Sequence, residues 1–130
     1  MVINKLGYLG PKGTFSEEAA ILSSRNKQRE LVEYPTIEAV VAAVAEGCLE
    51  EGLVPFDNTL EGGVGVTLDQ LAHQDNVYIY NELIYPVQQC LMVAPGLDRQ
   101  NIRKIYSHPQ ALGQCINYLN RNYPRAEKVA

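Results

Sequence analysis

Apolar and polar positions along the first half of the chain repeat as strand, loop and helix. Residues 5–9 read as a short strand, and a glycine-rich loop follows at residues 10–13. Thr14-Phe15-Ser16-Glu17 fits a capping box, with Thr14 as N-cap and Glu17 at the third helical position. The helix runs on through Ala19, Ala20 and Leu22 to about Arg25. A second strand covers residues 31–34 and is closed by Pro35. Thr36 caps the next helix, where Ile37, Val40, Val41 and Val44 keep i, i+3, i+4, i+7 spacing and Gly47 terminates it. Leu53-Val54-Pro55 forms a third strand. A polar loop follows, and Val64, Leu68 and Leu71 then share one face of a third helix. This β-α-β-α-β-α order predicts a parallel sheet with right-handed crossovers.

The pattern changes after the third helix. Residues 77–93 are rich in Val, Ile, Leu and Tyr, interrupted by Asn81-Glu82 and by Pro86. A run of this kind predicts one or two extended strands leaving the first sheet for a second lobe. Gln88 and Gln89 would alternate in direction within it, either as one amide facing a cleft or as two surface amides. Pro95-Gly96 is a turn, and residues 98–101 form a short helical turn. Residues 102–106 lead into Ser107-His108-Pro109-Gln110-Ala111-Leu112-Gly113-Gln114-Cys115. Pro109 suits the first position of a helix capped by Ser107 or His108. Leu112, Cys115, Ile116 and Leu119 make its buried stripe, with Gln110 and Gln114 one turn apart on a neighbouring face. After Tyr123-Pro124, residues 127–130 read as the start of another strand, so the chain is expected to stop inside a domain.

Composition narrows the class. The 130 residues suit one domain or two small lobes, and 46% hydrophobic with 20% charged residues supports a core. The net charge is −4 and the basic residues are scattered, which excludes a nucleic-acid stripe. No apolar run approaches a membrane span and no secretory signal opens the chain, so a cytoplasmic protein is expected. Cys48, Cys90 and Cys115 are odd in number and lack CxxC spacing, which argues against a disulfide frame or a zinc site. They read as small buried hydrophobes in a reducing compartment. His73 and His108 are the only imidazoles, which rules out a His-rich metal centre.

Three polar stretches carry candidate chemistry. Asp57, Asn58, Thr59 and Glu61 exceed what a turn requires, and Gly62 and Gly63 let backbone approach a bound group. They follow the carboxyl end of a strand, where ligands sit in open α/β sheets. The same residues would also serve an Asx-type turn that only caps a helix. The loop at residues 10–13 lacks both GxGxxG and GxxxxGK[ST] spacing, which disfavours a nucleotide. A small carboxylate at the helix start fits better, beside the simpler reading of Thr14 as a cap. Around Ser107 a hydroxyl, an imidazole and two amides fall within two helical turns. A lone His is commonly structural, but four convergent polar groups point to a site.

Taken together, residues 7–16, 54–71 and 107–115 resemble, in order and spacing, the catalytic domain of prephenate dehydratase. The resemblance covers essentially the whole chain. It implies an α/β fold like type II periplasmic binding proteins, two lobes joined by crossing hinge strands with the substrate between them. Residues 1–80 would form the first lobe, and residues 81–130 the hinge and an incomplete second lobe. The family reaction converts prephenate to phenylpyruvate with loss of water and carbon dioxide, in phenylalanine biosynthesis, without metal or organic cofactor. By position, the resemblance places Thr14, Asn58, Thr59, Ser107, Gln110 and Gln114 on the substrate; His108 belongs to the same motif and is read as a cap. Amides and hydroxyls suit a dianion whose charge falls during reaction, since strong cationic clamps would favour the ground state.

This sequence departs from the family at several points. Asp57-Asn58-Thr59 stands for the usual Glu-Asn-Ser, and Glu61-Gly62-Gly63 for Glu-Gly-Ser, with one hydroxyl missing at Gly63. Gln88-Gln89 replaces a segment that usually carries a His. The Thr-Arg-Phe motif that bears the essential family Thr does not occur among these residues. The parent protein is therefore expected to be the enzyme and this piece to be inactive alone. Arogenate dehydratase, or a non-catalytic small-carboxylate sensor on the same scaffold, are the alternatives. A phenylalanine effector would act only through an ACT domain that this sequence lacks. Unburied apolar faces predict a homodimer or higher self-association, for example by strand exchange.

Overall fold

The structure is a computed structural model that describes residues 4–58 and 62–130, with only the backbone of residues 58, 62 and 63. The chain divides into two units, Met1–Pro86 and Val87–Ala130.

In the first unit, β1 (Asn4–Leu9) lies between β2 (Arg29–Tyr34) and β3 (Glu51–Leu53). All three are parallel, with Leu6 opposite both Leu31 and Glu51. The crossovers are α1 (Phe15–Ser23) and α2 (Ile37–Ala45). Successive β1 side chains point to opposite faces. Leu6 and Tyr8 cluster with Ala20 of α1, and Leu31 and Leu53 pack beside them. Gly7 and its register partner Gly52 turn the other way, and Val40 and Val44 of α2 lie directly over Gly52. The two helices therefore cover opposite faces, as a chain that winds out to β2 and back past β1 to β3 requires.

The helix ends follow from local chemistry. Thr14 and Thr36 cap α1 and α2 through their side chains. After α2, Gly47 at φ 75° lets its own N–H reach Val44 O while Cys48 N–H reaches Ala43 O. That pair of bonds is a Schellman close. Beyond β3, Val54 and Pro55 leave the ladder, because proline has no N–H to give it. Two-residue strands β4 (Asp57–Asn58) and β5 (Gly62–Gly63) pair antiparallel before α3 (Gly65–His73), which packs on α2. The fully buried Thr67 donates to Pro55 O at 2.6 Å, and Val64 N–H donates to Phe56 O at 2.9 Å. These bonds fasten α3 to the chain that leaves the sheet.

The second unit is one β-α-β turn. β6 (Lys104–Tyr106) runs parallel to β7 (Glu127–Val129), with α4 (Pro109–Asn122) between them. Ile102, Ile105, Leu119 and Ala126 form its core, with Leu112, Cys115 and Tyr123 packed on it. Ile116, expected in that stripe, is 39% exposed. Positions 112, 115, 119 and 123 already make the narrow seam that a two-stranded sheet can cover, and 116 falls at its edge.

Two further expectations are corrected. Residues 77–93 contain no strand. Strand-prone composition records a fit to a pleated, half-buried surface, and among the described residues no ladder partner supplies one. Gln88 and Gln89 are both exposed, as two surface amides would be, although no strand carries them. Cys48 and Cys90 are also exposed, and only Cys115 is half-buried. Cys48 sits in the turn that closes α2 and is held by its backbone. Cys90 lies in the irregular stretch.

Candidate functional site

Adjacent parallel strands bring two of the three polar blocks to one edge. Tyr8 pairs with Leu53, so the loop after β1 and the loop after β3 leave the sheet side by side at its carboxyl end. The chain reverses its direction of travel across the sheet at this point, where a crevice opens in such folds. The first loop carries Thr14 and the second carries Asn58. Thr59 lies outside the described residues.

The turn before α1 is closed by its own hydrogen bonds. Gly13 sits at φ 83°, a backbone state that favours glycine. Its N–H donates to Glu17 Oε2 at 2.5 Å. The Thr14 hydroxyl donates to Pro11 O at 2.8 Å and accepts from Glu17 N–H at 3.4 Å. The expected capping box is thus present in shifted form, with the Glu17 carboxylate one residue further back than the usual partner. Below it, the buried Tyr8 side chain lies close to the same carboxylate. Burial above all, and then the charges of Glu17 and Glu33, raise its pKa above the ordinary phenol value. On the outer side of α1, Tyr85 donates to Glu18 Oε2 and its ring meets Phe15 at 6.3 Å between centroids. That hydrogen bond is the main reason the Tyr85 pKa is raised as well.

The remaining candidates gather where α4 begins. Ser107 follows the carboxyl end of β6, and its N–H donates to Val129 O at 3.1 Å. Gln110 and Gln114 occupy the first two turns of α4, and both side chains are exposed. His108 is the N-cap by position, but its side chain makes no capping bond, contrary to expectation. With Pro109 next, one of the helix's unsatisfied N–H groups is already absent, and the others remain open to a ligand or water. Ser107, Gln110 and Gln114 thus share one corner of the second unit, and Thr14 and Asn58 share one edge of the first.

The half-buried ion pair lies elsewhere. Arg29 Nη2 meets Glu51 Oε1 at 2.5 Å across the first residues of β2 and β3, the sheet end remote from the loops. Among the described residues, no group of three or more His, Cys, Asp or Glu could hold a metal ion. No described helix is long and apolar enough to cross a membrane. Sequence reasoning gave Glu17 only a capping role and missed Tyr85 and Thr67. For Glu17 the capping-box spacing was the available signal, while Tyr85 and Thr67 carried none.

The prephenate dehydratase family model matches residues 6–130. The chain belongs to the prephenate dehydratase family. Among curated relatives, the prephenate dehydratase of Lactococcus lactis subsp. cremoris is 38% identical over 95% of this chain and 43% of its own length. That of Bacillus subtilis is 38% identical over 92% of this chain and 42% of its own. A bifunctional chorismate mutase/prephenate dehydratase of Pseudomonas aeruginosa is 38% identical over 97% of this chain and 34% of its own. The chain therefore spans about two-fifths or less of these prephenate dehydratase relatives. Its fold is similar to the crystal structure of prephenate dehydratase from Arthrobacter aurescens in complex with L-Phe, at TM-score 0.82 and 28% identity over 96% of this chain and 41% of that one.

Proposed function

We propose that this chain is part of a prephenate dehydratase that converts prephenate to phenylpyruvate. The observation that carries the reading is the family match over residues 6–130, with each polar block of the described chain at the carboxyl end of a strand. In the reaction the bond between the ring and its carboxylate breaks, and the carboxylate leaves as carbon dioxide. Its electron pair moves through the ring and expels the 4-hydroxyl, which takes up a proton and departs as water. The protein's task is to hold the dianion, supply a donor where the hydroxyl leaves, and avoid stabilising the departing carboxylate. We assign substrate binding to Thr14, Asn58 and Thr59 of the first unit and to Ser107, Gln110 and Gln114 of the second.

We further infer a scaffold of the type II periplasmic-binding-protein kind, with residues 1–80 as one lobe and residues 81–130 as hinge and partial second lobe. The L-Phe bound in the Arthrobacter aurescens relative supports a site for a small carboxylate ligand somewhere in such proteins. The setting is cytoplasmic, and the enzyme works without a cofactor. Because these residues contain no Thr-Arg-Phe motif, the chain alone gives no turnover. The test is the absorbance of phenylpyruvate formed from prephenate, for this chain and for the complete gene product, with arogenate as a second substrate. Turnover of prephenate by the complete protein alone is expected. Preference for arogenate, or binding of prephenate without conversion by the complete protein, would overturn the reading.

A further inference from the structure

The turn that presents Thr14 is held from behind by a residue assigned no role in binding. We propose that Glu17 is a positioning residue: its carboxylate fixes the Gly13–Thr14 turn so that the Thr14 hydroxyl meets a ligand as a hydrogen-bond acceptor. This rests on the reading of Thr14 as part of the substrate site.

The geometry leaves that hydroxyl one free function. A threonine hydroxyl has one proton and two lone pairs. The proton is given to Pro11 O at 2.8 Å, and one lone pair takes Glu17 N–H at 3.4 Å. The second lone pair remains. The N–H just ahead of the cap is also taken, because Gly13 N–H is bound to Glu17 Oε2 at 2.5 Å. Glu17 is half-buried, and the buried Tyr8 side chain stands beside its carboxylate and limits its freedom to swing away from the turn. Its negative charge beside the turn also repels a ligand carboxylate. A ligand group matched to Thr14 is therefore a donor, and in prephenate the donor is the ring hydroxyl.

Two measurements test the two halves. In this chain, amide hydrogen exchange reads the Gly13 bond. Glu17→Ala should speed exchange at Gly13 about tenfold while Ala19 and Ala20 stay protected, and Glu17→Gln, whose amide oxygen can still accept, should restore protection. In the complete gene product, Glu17→Ala should raise KM for prephenate about tenfold with kcat within about twofold, and Glu17→Gln should recover most of the loss. Thr14→Val should raise KM for prephenate but leave product inhibition by phenylpyruvate, which has carboxylate and ketone but no hydroxyl, unchanged. An unchanged KM in Glu17→Ala despite faster Gly13 exchange would overturn the positioning role and leave Glu17 a helix cap. Equal weakening of prephenate and phenylpyruvate by Thr14→Val would overturn the acceptor assignment. A wild-type protein that converts no prephenate would instead defeat the substrate reading, and the positioning role with it, whatever the Gly13 exchange showed.

Discussion

At Gly52 the sheet meets α2 with no space for a side chain. A methyl group there would lie 2.7 Å from Val40 Cγ1 and 3.1 Å from Val44 Cγ2, both β-branched and both in a packed helix. Neither can retreat without moving α2, so Gly52→Ala should destabilise the first unit by about 1–3 kcal/mol, read as a lower midpoint in urea at unchanged slope. On the opposite face, Tyr8 makes stability depend on alkaline pH. Its phenol keeps its proton in the fold where the unfolded chain has lost it, because burial and the carboxylates of Glu17 and Glu33 disfavour phenolate. Its share of stability is complete below the ordinary phenol pKa of about 10 and falls as pH rises above it. Tyr85 acts in the same direction through Glu18. Tyr8→Phe should therefore flatten, without abolishing, the loss of stability between about pH 9 and 11 in denaturation curves. Neither feature could be read in advance, since the chain shows a glycine and a tyrosine in a strand but not which face receives α2.

The elements of the first unit were legible because their apolar spacing, caps and breakers agree. Val40, Val41 and Val44 fall on one helical face, Thr36 starts the helix and Gly47 ends it, and the structure has α2 between those marks. The irregular stretch at residues 77–93 misled because its composition suits a strand while a strand also needs a neighbour, which composition does not record. The candidate site was legible only as three polar blocks at strand ends. Of the hydrogen bonds on the Thr14 hydroxyl, the one from Glu17 N–H follows from the capping-box pattern, whereas the one to Pro11 O depends on a backbone group that no residue pattern displays. The clip on α3 belongs to the same class. Thr67 looks like an ordinary helical threonine, yet its buried hydroxyl joins α3 to Pro55 O at 2.6 Å. Thr67→Val keeps the shape and strands that carbonyl, which should cost about 1–3 kcal/mol in chemical denaturation. Amides of α3 should lose more exchange protection than those of α1, since the clip touches only the former.

For the whole chain, the consequential feature is apolar surface that nothing among the described residues covers. Ile79, Ile84 and Met92 are 67%, 87% and 89% exposed, and Tyr78 and Tyr80 flank the first of them at 80% and 71%. They fall in a stretch whose backbone takes part in no described ladder. Such a segment is a template for pairing with another chain. Burying the three aliphatic side chains would contribute about 1.5–3 kcal/mol each. Losing the freedom of two molecules costs about 4–15 kcal/mol. The balance predicts weak, concentration-dependent association rather than a tight dimer. Sedimentation velocity over a wide range of protein concentration should show the weight-average mass rising with concentration. Replacing Ile79, Ile84 and Met92 together by Ser should return the chain to a monomer without changing its helical circular dichroism, because none of the three belongs to either core. A wild-type chain that stays monomeric at the highest concentration would mean that the stretch folds back on its own molecule in solution.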